Sequence, residues 1–160
     1  MAKISVREAQ INDAPVLLEF IRGLAEYEGL LDQVEAREDD LRRTIFIDKS
    51  AEVLIAEYDG AAAGFVLFFH NYSTFKGRAG VYIEDLFVKP EFRGKGLGKA
   101  LFSRVACIAE GRGCGRIEWS CLDWNAPSIA FYKGLGAVPM PDWTMFRLTD
   151  DKFKLLGGRV

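Results

Sequence analysis

The run Arg93-Gly94-Lys95-Gly96-Leu97-Gly98 stands between an apolar stretch of strand character, residues 81–88, and a helical pattern over residues 97–112. In that helical pattern Leu97, Leu101, Val105 and Ile108 share one face. A strand, a glycine-rich turn and a helix start, in this order, make an anion site. The first N–H groups of a helix have no partner within it and carry partial positive charge, so they can hold phosphate oxygens. Glycine lets the backbone approach a phosphate with no Cβ in between. The pattern predicts a pyrophosphate-bearing ligand around Gly94, Lys95, Gly96, Leu97, Gly98 and Lys99; the alternative is a tight strand-to-helix turn without a ligand. Within the preceding strand Glu84 and Asp85 interrupt apolar residues. Carboxylates there need a reason, because burying one is costly unless it is paired or functional. Adjacent strand residues point to opposite faces, so at most one of the two is expected to face a given cleft.

Two phosphate loops can be set aside on spacing. A Walker A loop requires Gly-x-x-x-x-Gly-Lys and then Ser or Thr. Here Gly98-Lys99 is followed by Ala100, and Arg93 stands where the first glycine belongs. A dinucleotide fingerprint requires Gly-x-Gly-x-x-Gly; Gly94-x-Gly96 is followed by Gly98 one position early, with Lys99 in the third glycine's place. Arg93-x-x-Gly96-x-Gly98 instead resembles the acyl-coenzyme A pyrophosphate loop of the GNAT N-acetyltransferases, Arg/Gln-x-x-Gly-x-Gly/Ala.

The elements that must position these residues follow from pattern. Residues 4–9 alternate as a short strand, and Asn12 or Asp13 is placed to cap a helix with Pro15 in its first turn. That helix buries Val16, Leu17, Phe20, Ile21 and Leu24; a second covers residues 38–47. Residues 53–57 and 63–70 read as strands joined across Asp59-Gly60, a hairpin signal. After the loop and its helix come a strand over residues 116–122, a short helix from Asn125 to Leu135 with Gly136 as its stop, and a last strand over residues 143–149. The order predicts one α/β domain spanning residues 1–160.

Composition narrows the function. At 160 residues the chain has enough surface to bury for a core without disulfides or metals. Hydrophobic content of 49% with 28% charged residues is that of a globular protein, and no apolar run approaches the roughly 20 residues of a membrane span. Three cysteines without ligand spacing and an N-terminus lacking a signal-peptide core predict a cytoplasmic protein; the lone His70 argues against zinc. A net charge of −2 disfavours nucleic acid as a partner. The charges are unevenly spread: residues 19–40 hold eight acids against two bases, residues 89–104 five bases against one acid. That split suits a polyanionic ligand at one mouth and a cation at another, although two solvated helix faces would look the same. Cys121, on a predicted strand, and His70, at a strand end, read as structural.

Further segments carry the resemblance nearly end to end. Tyr82-Ile83-Glu84-Asp85, Leu122-Asp123-Trp124-Asn125, Phe131-Tyr132-Lys133-Gly134-Leu135-Gly136-Ala137, Leu24-Ala25-Glu26-Tyr27-Glu28, Asp32-Gln33-Val34 and residues 72–78 resemble the diamine acetyltransferase branch. Residues 122–125 and 72–78 are similar to its thialysine N-ε-acetyltransferase members; Leu31 stands where the spermidine/spermine enzymes have an acid, whereas Ser128 matches them. The resemblance implies the GNAT fold, a mixed and mostly antiparallel sheet flanked by helices. It implies direct acetyl transfer from acetyl-CoA to the primary amine of a small cationic acceptor, without a metal. Glu84 is then the general base acting through water, and Asp85 a structural residue in a salt bridge. Tyr132 is the general acid for the coenzyme thiolate, a role open to a phenol of pKa about 10. Backbone groups of Leu86, Phe87 and Val88 take the pantetheine arm, as an added strand would, and can polarise the thioester carbonyl. Arg93 to Lys99 hold the pyrophosphate, with Asn125, Ala126, Pro127 and Ser128 on the coenzyme's far side. Tyr27 and Glu28 recognise the amine, an ammonium over a tyrosine face gaining about 1 kcal/mol, and Trp143 walls that pocket. The branch also implies a homodimer, with the predicted final strand near Trp143 as its edge. Other acceptors within the same chemistry are a protein N-terminus, a lysine or an amino acid. A coenzyme-binding regulator without turnover would be marked by loss of Glu84 or Tyr132, and both are present.

Overall fold

Asp59 and Gly60 both adopt positive φ, which matches the twist of the strands they join and sets the first hairpin. β2 (Glu52–Tyr58) and β3 (Ala61–Ser73) run back to back from it, in a computed structural model that describes residues 1–158. With β1 (Ile4–Glu8), β4 (Arg78–Val88) and β5 (Ile117–Trp119) they form one sheet in the order β1-β2-β3-β4-β5. The first four strands pair antiparallel and β5 joins β4 in parallel, so the sheet is mixed as expected.

The chain divides into two compact units, Met1–Ser120 and Cys121–Val160. In the first, the sheet has a core on each face. α3 (Leu97–Gly111) covers one face, burying Leu97, Leu101, Val105 and Ala109 against Leu54, Val66, Phe68, Val81 and Ile83. α1 (Ala14–Tyr27) covers the other, where Leu17 and Phe20 meet Ile55, Phe65 and Phe87. Pro15 lies in the first turn of α1 as predicted, and Asp13 is its N-cap residue, but the Asp13 side chain does not cap the helix. Its oxygens accept from the Arg7 guanidinium (2.8 and 3.0 Å) and the Gln10 N–H (2.7 Å) instead. The helix expected over residues 38–47 is α-helical only as α2 (Glu38–Leu41) and continues as a wider π-helical segment, Arg42–Ile47.

β4 carries the feature that matters most for the site. Leu67 opposes Asp85 and Phe68 opposes Ile83, which leaves Glu84 as the extra residue of a β-bulge. The bulge reverses the phase of the strand. Before it Val81 and Ile83 face the α3 core; after it Leu86 and Val88 face that core and Phe87 turns to α1. β5 pairs only with residues 81–83 and is shorter than the 116–122 expected, because its neighbour changes course at the bulge.

The second unit holds α4 (Ala126–Gly134) and α5 (Asp150–Gly157). The strand expected over residues 143–149 is absent: those residues are irregular, with Trp143 77% and Phe146 90% exposed. Their alternation satisfies a strand on paper, but a strand also needs a neighbour for its N–H and C=O groups, and none of β1–β5 pairs with it. α5 was not anticipated, although Thr149 followed by two aspartates is a helix-start signal.

Candidate active site

Beyond the bulge, β4 has a ladder on one side only. Lys89 N–H donates to the Ala63 carbonyl (2.8 Å), and the antiparallel alternation therefore turns the polar groups of Phe87 towards β3 as well. Those of Leu86 and Val88 point the other way, where β5 has already ended. This corrects the expectation for Phe87. Its peptide groups belong to the β3 ladder and its ring to the α1 core, which leaves the Leu86 N–H and carbonyl and the Val88 N–H without a strand partner, the Val88 carbonyl being used by Arg93 Nε.

The turn after β4 is built on Pro90–Phe92, with Phe92 N–H on the Lys89 carbonyl (2.9 Å) and Arg93 N–H on the Pro90 carbonyl (3.2 Å). Gly96, the residue before α3, has φ +90 with no neighbour that would crowd a Cβ; backbone conformation, not space, demands glycine there. The first α3 hydrogen bond runs from Ala100 N–H to the Gly96 carbonyl (3.0 Å). The N–H groups of Leu97, Gly98 and Lys99 thus lack helical partners, as a phosphate site requires. Leu97 contributes only its backbone, since its side chain is buried; Lys95 and Lys99 are exposed, the Lys95 ammonium over the Tyr58 ring (5.4 Å). Arg93 turns away from the loop: its Nε donates to the Val88 carbonyl (2.9 Å), and its guanidinium lies 4.9 Å from the Tyr27 ring centre and 5.7 Å from that of Phe87.

At the bulge the two carboxylates divide their environments. Glu84 is exposed. Asp85 is pushed up to about 6, first by burial and then by the negative charges of Glu84 and Glu28. Among the described residues Asp85 has no salt bridge of the kind expected, and the charges that act on it are those of Glu84 and Glu28. Burial also raises Glu28, which follows directly on the last residue of α1, Tyr27. Sequence reasoning named Glu84 as the base and gave Asp85 a structural role. The available signal was the acid pair within an apolar run; the phase reversal that buries the second acid had none.

α1 presents one face to this region. Glu19 pairs with Lys89 (2.8 Å), Gly23 approaches Phe87 so closely that a Cβ would stand 2.8 Å from the ring tip, and Tyr27 meets Arg93. A cleft of about 470 Å³ lies along that face, lined by Gly23, Phe87, Glu19, Glu26 and Glu91 together with Arg22 and Lys89.

In the second unit Asn125 caps α4, its Oδ1 accepting from Ser128 N–H (3.4 Å), with Pro127 in the first turn. Asn125 is buried, Ala126 and Pro127 are exposed, and Ser128 is half-buried. Tyr132 is half-buried on the same helix, its ring 5.5 Å from that of Phe131. Trp143 lies in the irregular segment and is exposed. Cys121 falls just after β5, not on a strand. His70 is structural: Arg112 only donates, so its contact with Nε2 (3.0 Å) leaves Nδ1–H to donate to the Gly80 carbonyl (3.0 Å). Among the described residues no group of three His, Cys, Asp or Glu side chains is placed to hold a metal, and no helix is long and apolar enough to cross a membrane.

A strand edge opened at a bulge, leading into a glycine turn and uncapped helix N–H groups, is the arrangement in which the sequence signature of the Acetyltransferase (GNAT) family matches, over residues 18–137. The chain belongs to that family. It is 39% identical over 171 aligned residues to the thialysine N-epsilon-acetyltransferase of Bos taurus, covering 99% of this chain and 100% of that one. It is 41% identical over 119 residues to the L-ornithine N5-acetyltransferase of Arabidopsis thaliana, covering 74% of this chain and 49% of that one. Among solved structures, an integron cassette protein from the mobile metagenome of V. cholerae superposes with a TM-score of 0.79 at 24% identity, over 96% of this chain and 97% of that one. The protein is an acetyltransferase of amine acceptors, and acetyl-CoA is the family's co-substrate.

Proposed function

We propose that the chain, working as one N-acetyltransferase domain over residues 1–160, transfers acetyl directly from acetyl-CoA to a primary amine of a small cationic acceptor of the thialysine, diamine or polyamine kind. The observation that carries this is the open half of β4: the Leu86 N–H and carbonyl and the Val88 N–H, none of them used by a strand, run from two carboxylates at a bulge to uncapped N–H groups at a helix start, while the Val88 carbonyl accepts from Arg93 Nε. The residues fit the coenzyme. Gly94 to Lys99 hold the pyrophosphate on backbone N–H groups, with the Lys95 and Lys99 ammoniums adding charge. Leu86 and Val88 pair with the pantetheine amides as an added strand would. Asn125 to Ser128 border its far side. The thioester supplies an activated acetyl group.

Tyr27 and Glu28 take the acceptor ammonium and Trp143 walls it, while the uneven charge of the chain, eight acids against two bases over residues 19–40, favours a cation on that side. Glu84, exposed beside the strand edge, receives the ammonium proton through water, and the Tyr132 hydroxyl gives a proton to the departing thiolate. One observation favours a second reading of the base. Asp85, held near 6 by burial and its acidic neighbours, is better matched to accepting a proton at neutral pH than an ordinary carboxylate. We further propose a cytoplasmic homodimer, supported by a sequence with only three cysteines, none at ligand spacing, and by the exposed Val138, Met140, Met145 and Leu148 of the second unit.

The test is thiol release from acetyl-CoA with thialysine, lysine, ornithine, spermidine, putrescine and a basic peptide. Rapid release with a small amine is expected. Release with the peptide alone overturns the small-acceptor reading, and silence with every amine, while acetyl-CoA binds, overturns the direct-transfer reading.

A further inference from the structure

Arg93 opens the glycine-rich loop, and its motif position would make it a phosphate ligand. Its contacts say otherwise. The backbone N–H is used on the Pro90 carbonyl (3.2 Å), and the side chain folds back so that Nε reaches the Val88 carbonyl (2.9 Å). One side of the guanidinium is then covered by Tyr27 at 4.9 Å and Phe87 at 5.7 Å. A guanidinium serving a phosphate offers its planar fork outward for paired hydrogen bonds. Here the Nε edge of the fork is committed to a strand carbonyl and the plane to aromatic faces.

The contact belongs to a larger pattern. Glu19, Gly23 and Tyr27 are spaced by four along α1 and so share one face. Each meets a residue of the β4 end or the turn that follows: Lys89 at Glu19 (2.8 Å), the Phe87 ring at Gly23, and Arg93 at Tyr27. Lys89 also lies over the Phe20 ring (5.6 Å), so both residues that flank the Pro90–Phe92 turn are tied to α1 by a cation on an aromatic ring. Tyr27 is the last residue of α1, and Gly29 beyond it adopts φ +72, where the chain turns off the helix axis. The final turn of α1 is therefore where the tie matters most.

We propose that Arg93 is a positioning residue of the acceptor side and not a ligand of the coenzyme: it seats the Tyr27 ring against the end of β4 and so fixes the acceptor wall relative to the strand edge. The inference rests on the reading of Tyr27 as part of the acceptor pocket. The charge that meets the pyrophosphate then comes from Lys95 and Lys99; all three side chains are exposed, but Arg93 alone spends a donor on the end of β4.

Arg93→Lys keeps the charge and removes the planar face and the Nε donor, and Tyr27→Leu removes the ring. Each is expected to raise KM for the acceptor about 3- to 10-fold with a smaller change in kcat. Affinity for CoA, titrated without acceptor, should stay within about twofold of wild type, with the same salt dependence. The double variant should be no worse than the poorer single one, since both remove one contact. Weakened CoA binding by Arg93→Lys at unchanged acceptor KM overturns the proposal, and so do additive effects in the double variant. Hydrogen exchange separates this from failure of the acceptor reading. Amides of residues 24–28 should exchange faster in Arg93→Lys, and unchanged protection overturns the tie. Wild-type silence towards every amine would instead remove the acceptor role of Tyr27 and, with it, the positioning role.

Discussion

Residues 81–83 and 86–88 of β4 belong to one strand, are similarly apolar, and are held in place by different means. The first three have a ladder on both sides, with β3 and with β5. The last three have β3 on one side and no strand on the other, where only the Val88 carbonyl is used, by Arg93 Nε, and they keep their place largely through side chains, Phe87 against α1 and Leu86 and Val88 against the α3 core. Glu84 is the joint between them. An unpaired strand edge is ordinarily a liability that folds cover or charge. Here it lies inside a sheet, flanked by two carboxylates and a phosphate-type loop. The closed half holds the sheet together, and the open half is the one the proposed function gives to the coenzyme.

The sharpest test of that difference is one substitution made in each half. Tyr82 N–H faces β3, since Val81 N–H is on the Arg116 carbonyl (3.0 Å) of the opposite side. Tyr82→Pro removes a ladder bond in a strand paired on both sides, and a loss on the order of 3 kcal/mol is expected in chemical denaturation. Leu86→Pro removes an N–H that no strand uses. The fold should survive with about 1–2 kcal/mol lost to poorer packing, while CoA affinity falls about 10-fold through the missing donor. Equal destabilisation by the two prolines would erase the distinction between the halves.

The loop that ends the open half is the next place to press. Gly96→Val forces a β-branched residue to φ +90 at the start of α3. Strain of about 1–3 kcal/mol predicts a loss of CoA affinity of about 10- to 100-fold, with the helix largely intact by circular dichroism. Unchanged CoA affinity would show that the coenzyme does not use these N–H groups.

The loop, the helix behind it and the first hairpin were legible because each is set by neighbours in sequence: glycines where φ is positive, and apolar residues at helical spacing. The bulge was not. Alternation along residues 81–88 reads as an unbroken strand, and only the register against β3 shows the phase reversing at Glu84. That single residue decides which acid is buried, so Glu84 was identified as a candidate and Asp85 was assigned a salt bridge it lacks. Arg93 was legible as a motif member but not in its direction, which Tyr27, distant in sequence, determines. Residues 143–149 failed for the opposite reason: the alternation is real, but pairing is a property of a neighbour that the strand itself does not encode.

The joint can be tested by titration. Asp85 holds its proton up to about pH 6 in the folded chain and to its ordinary 3.8 when unfolded. Between those values folded Asp85 binds more protons than unfolded Asp85, so its contribution to stability falls as pH rises through that window and then levels off, against the opposite trend of Asp13 and Glu52 at the acid end. Asp85→Asn should remove Asp85's share of this slope, leaving that of Glu28, and be more stable above pH 6 by an amount on the order of 2 kcal/mol. If Asp85 is also the base, the variant loses the limb near pH 6 in kcat/KM. Glu84→Gln should then move that limb to lower pH, because the Glu84 charge helps to raise Asp85. A limb that vanishes with Glu84→Gln and persists in Asp85→Asn would return the base role to Glu84.

The smallest effect expected bears on how the open half is held. Gly23 sits inside α1, where alanine ordinarily gains up to about 1 kcal/mol in helix propensity. Its Cβ would stand 2.8 Å from Cζ of Phe87, whose ring is packed among Phe20, Phe65 and the Arg93 guanidinium and has little room to retreat. Overpacking of about 1–3 kcal/mol outweighs the propensity gain, so Gly23→Ala should destabilise by about 1 kcal/mol. Gly111, the last residue of α3, has nothing within 4 Å of a built Cβ, and Gly111→Ala should be neutral or stabilise slightly. Thermal melts of the two alanines compare a crowded glycine with an open one. CoA affinity adds the decisive reading: Phe87 lies between Leu86 and Val88, so a displaced ring must move the edge that the ligand uses. A few-fold loss of affinity in Gly23→Ala alone would show that the open half takes its position from α1 where the closed half takes it from its ladders.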